Sequence, residues 1–98
     1  MTEDMPVTSR GPQRNEPVEV LRGDDVVARA TCFMATYEED GVRRWRGFLA
    51  SIDPPGSIAP GEYRVRLEDG ATAAIAVREV RTDPREQAIF GGVGEPPA

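Results

Sequence analysis

Two stretches of the chain alternate arginine with bulky neighbours: Arg44, Trp45, Arg46, Gly47, Phe48 in one, and Tyr63, Arg64, Val65, Arg66, Leu67 in the other. In an extended chain successive side chains leave on opposite faces. Arg44 and Arg46 then point away from Trp45, and Arg64 and Arg66 point away from Tyr63, Val65 and Leu67. If the two stretches are neighbouring strands, four guanidinium groups share one outer surface with Phe48 beside them. Such a surface grips carboxylates through paired N–H donors, or holds phosphates while a ring stacks on a base. Glu38, Glu62, Glu68 and Glu79 offer a third use, a cross-strand ladder of ion pairs on a solvated wall. Arg44, Arg46, Phe48, Arg64 and Arg66 are therefore the candidate binding residues.

Other chemistry is scarce. The chain has no histidine, which removes every histidine-based triad, proton shuttle and metal site. The single Cys32 cannot build a zinc ribbon, and in mid-strand with no histidine to activate it, it reads as a small core residue. Gly91-Gly92-Val93-Gly94 has the letters of a phosphate loop. That chemistry requires a following helix, whereas here Glu95-Pro96-Pro97-Ala98 follows. Arg22-Gly23-Asp24 reads as an ordinary turn. Asp24-Asp25 and Glu38-Glu39-Asp40 are acidic hairpin tips without the ligand number and spacing calcium demands. No catalytic residue, cofactor or metal is expected.

Charge narrows the partners. All twelve cations are arginine, as expected of a GC-rich coding sequence, and each is a planar fork suited to bidentate pairing and stacking. Residues 1–41 carry four arginines against nine acids, and residues 42–85 carry eight against six. The net charge of −5 argues against general nucleic-acid binding, while the basic middle leaves room for a local site. No apolar run approaches the ~18 residues of a membrane span, and the first eleven residues contain no hydrophobic segment of a signal peptide. With one cysteine and no possible intrachain disulfide, a reducing compartment, the cytoplasm, is the expected location.

The elements that position these residues are strands. The pattern is period two, broken at short intervals by turn residues, and no window supports an amphipathic helix. A single helical turn could start at Thr82-Asp83-Pro84. Strands are expected at 17–22, 26–38, 42–52, 62–68, 71–81 and 87–93. Residues 1–15 read as a disordered tail, 16–93 as the domain and 94–98 as a flexible end. The Pro54-Pro55 segment should be stiff, so the 53–61 loop is either a connector across one end or a preorganised contact loop. The run 61–70 resembles segments of many short bacterial β proteins, which implies no activity.

Glu-Asp-Gly occurs at two hairpin tips, residues 39–41 and 68–70. At the second, a two-residue turn would put Ile75 and Val77 on the face of Arg64 and Glu62. A three-residue loop with glycine in the left-handed bulge position instead pairs Val65 with Ala73, Tyr63 with Ile75 and Gly61 with Val77, gathering everything apolar. The same loop at 39–41 would pair Tyr37 with Arg43, Ala35 with Trp45 and Phe33 with Gly47. Trp45, Phe33, Leu49, Tyr63, Val65, Leu67, Ile75 and Val77 then form the expected core.

These features point to an all-β domain, a small six-stranded antiparallel meander curled into an open barrel or roll. The leading functional expectation is a non-catalytic module or accessory subunit that binds another protein. The alternative is a nucleic-acid-binding barrel of the OB or SH3-like kind using the arginine face and Phe48.

Overall fold

The structure, a computed structural model, describes residues 10–97, with side chains from residue 14 onward. Six antiparallel strands close into a ring: β1 (Arg10–Arg22), β2 (Asp25–Glu39), β3 (Val42–Asp53), β4 (Gly61–Arg66), β5 (Thr72–Arg81) and β6 (Gln87–Val93). Their order around the barrel is β1-β2-β3-β6-β5-β4. Each half of the chain is a three-stranded meander, and the seams join β1 to β4 and β3 to β6. The connectivity is therefore unchanged when the two halves are exchanged. No helix occurs among the described residues, and residues 82–86 are a bend rather than a helical turn.

The inward side chains follow the period-two pattern, with one irregularity on β3 between Leu49 and Ile52, where Ser51 has φ 53°. Val18 and Val20 of β1, Leu49 and Ile52 of β3, Val65 of β4, and Ile75 and Val77 of β5 are buried. A six-stranded ring is narrow, so large and small residues must alternate across it. Ala28, Ala30 and Cys32 on β2 and Ala73 and Ala88 opposite leave the room that Trp45, Tyr63 and Phe90 fill. The Trp45 ring meets Phe90 edge to face at 5.5 Å and lies directly on Gly92, where any Cβ would overlap it. Burial pushes the Cys32 thiol up to about 12, with the Glu16 charge adding to the shift. That matches the inert core role expected of it.

The 68–70 hairpin has the expected three-residue loop. Leu67 N–H donates to Ala71 (2.8 Å), Gly70 N–H donates to Leu67 (2.9 Å), and Tyr63 faces Ile75. The 39–41 hairpin differs. Glu39 pairs with Val42, leaving a two-residue turn with positive φ at both Asp40 (54°) and Gly41 (77°). Such a turn matches the twist of its strands, and aspartate tolerates the left-handed region better than most residues. The pairing consequently shifts by one: Thr36 faces Trp45, Met34 faces Gly47, and Phe33 faces Phe48. Cys32 and Met34 replace Phe33 and Ala35 in the interior, and Phe33 moves outside.

β1 begins at Arg10, seven residues before the expected start, so the boundary expected between 15 and 16 falls inside a strand. Residues 13–15 carry no apolar periodicity and are held by pairing with Ala35, Met34 and Phe33 of β2. Residues 1–9 of the expected tail, and residue 98, lie outside the described residues. The 54–60 loop crosses one end of the barrel and is fastened there. Ile58 is buried, Gly56 N–H donates to the Glu86 carboxylate (3.0 Å), and Ala59 N–H donates to the Tyr63 hydroxyl (3.1 Å). The same hydroxyl accepts from Arg22 Nη2 at 3.0 Å, with that guanidinium stacked 4.8 Å from the ring centroid.

Candidate functional site

The five candidate residues all point outward, but the ring order separates them. β3 and β4 are not neighbours. Two strands lie between them in either direction, so Arg44, Arg46 and Phe48 occupy one wall and Arg64 and Arg66 the opposite one. The single four-guanidinium surface does not form, because local patterning sets hairpins but carries no information on which seams close the ring.

The wall built on β1 and β4 is polar and internally paired. Glu19 accepts from Arg66 through Nε (2.8 Å) and Nη2 (2.5 Å) and from Arg29 Nη2 (3.4 Å). The hydrogen bond from the Arg66 guanidinium, opposed by desolvation and assisted by Arg29, holds the Glu19 carboxyl below its usual range. Arg64 donates to the Thr72 hydroxyl at 2.7 Å. None of the ion pairs expected between Arg44, Arg46, Arg64 and Arg66 and Glu38, Glu62, Glu68 and Glu79 forms among the described residues; Arg66 takes Glu19 and Arg44 takes Glu39 instead.

The opposite wall is different. Outward partners in register across β1, β2, β3 and β6 are Asn15, Phe33, Phe48 and Ile89, a nearly apolar row. Phe33 and Phe48 stack with centroids 4.8 Å apart and planes 13° from parallel, and both are only half-buried. The next row holds Ala35, Arg46, Gly91 and Ala76, three of them small. Arg46 leans over the Tyr37 ring, 5.0 Å from its centroid. The guanidinium of Arg78, on the adjacent β5, lies against Gly91, 2.8 Å from where a Cβ would stand. At Gly47 a Cβ would overlap the Phe33 carbonyl, so glycine lets β3 press against β2 here. The result is a concavity of about 640 Å³ lined by Asn15, Phe33, Tyr37, Arg46, Phe48 and Ile89 among others. That lies within the ~300–1,000 Å³ usual for binding clefts.

Of the sequence-derived candidates, Arg46 and Phe48 line this concavity. Arg44, pairing with Glu39 at 3.0 Å, sits near its rim. Sequence reasoning missed Phe33, Tyr37, Ile89 and Arg78. Phe33 was assigned to the core by the one-residue register difference, and Arg78 reaches the wall through the irregular pairing between Val77 and Glu79. Among the described residues no group of three or more acidic or cysteine side chains is placed to hold a metal ion, and no helix is long and apolar enough to cross a membrane. No family model, curated protein or solved structure matches the chain.

Proposed function

We propose that this protein is a non-catalytic interaction module that binds another protein through the concave wall of β2, β3 and β6. The observation that carries this reading is the outward Phe33–Phe48 stack, set in a concavity with Tyr37, Arg46 and Ile89. A sheet face that meets only water ordinarily alternates to polar residues, as the β1–β4 wall does. Here the alternation fails, and it fails toward the composition of an interface centre. Aromatics and arginine are enriched there, and other charges are depleted. Sequence supports the non-catalytic part, since only carboxylates and arginines could serve in chemistry.

Native-cell capture on immobilised protein tests the reading, with Phe33→Ser and Phe48→Ser together and Arg64→Gln as the control. The double variant should lose the captured partner while its melting temperature stays within a few degrees of the parent. Arg64→Gln should capture as the parent does. Undiminished capture by the double variant would remove this wall as the site.

A further inference from the structure

Two cations at the concave wall meet no carboxylate and lie beside one glycine. Five arginines meet carboxylates within 4.0 Å: Arg14, Arg29, Arg44, Arg66 and Arg81. Among the described residues Arg22, Arg43, Arg46, Arg64, Arg78 and Arg85 do not meet one, and of these Arg46 and Arg78 are the pair at the concave wall. One rests on a tyrosine ring and the other on glycine backbone, and they flank Gly91 from the two strands beside it. Two like charges on either side of Gly91, in a chain of net charge −5, leave a place for an anion. Arg46 and Phe48 are two residues apart on one strand, so their side chains emerge roughly 6.6 Å apart on the same face. An extended peptide repeats its own side chains at that spacing.

Resting on the binding role proposed above, we infer that the occupant is an extended acidic peptide segment, with a carboxylate and a large apolar side chain two residues apart. The carboxylate meets Arg46 and Arg78, and the apolar side chain covers the Phe33–Phe48 stack. A second copy of this chain is a poorer occupant, because a two-fold contact would bring Arg46 and Arg78 toward their own symmetry mates. Single-stranded nucleic acid is poorer too. Its affinity comes from many neutralised phosphates, and this wall offers two unpaired cations on an acidic protein.

The test uses two dye-labelled peptides, blocked at both ends, read by fluorescence anisotropy. One is Ser-Glu-Ser-Phe-Ser-Glu-Ser-Phe-Ser, and the other has glutamine in place of each glutamate. The glutamate peptide should bind about tenfold or more tightly than its glutamine counterpart, the scale of a charge-assisted hydrogen bond. That preference should vanish in Arg46→Gln, Arg78→Gln, whose melting temperature should match the parent. Equal binding of both peptides, weakened alike by Phe48→Ala, would overturn the acidic preference and leave the docking wall standing. Failure of both peptides to bind at millimolar concentration would overturn both. Displacement of the glutamate peptide by a thymidine decamer, stronger than by unlabelled glutamate peptide, would overturn the inference in favour of nucleic acid.

Discussion

Trp45 has the largest side chain in the core, and its surroundings are built around it. Gly92 is bare because the indole lies on it, and Phe90 meets the ring edge to face. Trp45→Ala would leave a void that the rigid ring of strands cannot close, and should cost ~3–5 kcal/mol in chemical denaturation. That is a large share of the ~5–10 kcal/mol total expected of a domain this size. Gly92→Ala should destabilise by ~1–3 kcal/mol through overlap with the same ring, measured the same way. Trp45 was legible as a core residue from alternation alone, because its neighbours Arg44 and Arg46 could not be buried. Phe33 was not legible. It alternates among Cys32, Met34 and Ala35, so hydrophobicity gives no preference for one face over the other.

Hairpin tips decide what alternation leaves open. At 68–70 the wrong register would mix charged and apolar residues on one face, so the strand pattern identifies the loop before the turn is considered. At 39–41 the expected register leaves Phe48 outside and the observed one leaves both Phe33 and Phe48 outside, so burial does not select the observed register and the turn's own chemistry becomes decisive. Gly41 sits at φ 77°, where a side chain costs roughly 1–2 kcal/mol. Gly41→Ala should therefore lower stability by about that amount, while Asp40→Asn should be neutral or mildly stabilising, since asparagine is equally at home in this turn. Equilibrium unfolding of both variants checks the pair. The early start of β1 was hidden for another reason. Its first residues, Arg10-Gly11-Pro12-Gln13, show no apolar alternation in the sequence, and they are strand because β2 continues beside them and offers backbone partners.

Across the whole molecule, one wall is a paired polar surface and the other an apolar concavity. The sequence placed all five candidate residues on the outside but gave no sign that the ring would divide them, since seams between distant strands depend on closure. The polar wall has its own pH signature. Glu19 has a carboxyl whose pKa is lowered on folding from the ordinary 4.5, mainly by Arg66. A carboxyl lowered on folding stabilises the native state above the ordinary value, and that contribution disappears as the pH falls through the lowered one. Thermal melts of the parent and Glu19→Gln should differ most at neutral pH and converge as the pH falls below 4.5 and through the lowered value. The symmetric connectivity has a further consequence. The 54–60 loop is the only covalent link between two meanders that otherwise meet along two seams. It bridges strands on opposite walls, ~10 Å apart, and its seven residues can span at most ~25 Å. Removing residues 54–60 would join Asp53 directly to Gly61, a Cα–Cα step of ~3.8 Å, too short to cross. The β1–β3 half of one molecule would then have to close its seams with the β4–β6 half of another, giving an intertwined, domain-swapped dimer with each barrel's pairing intact, visible as a doubled mass in light scattering.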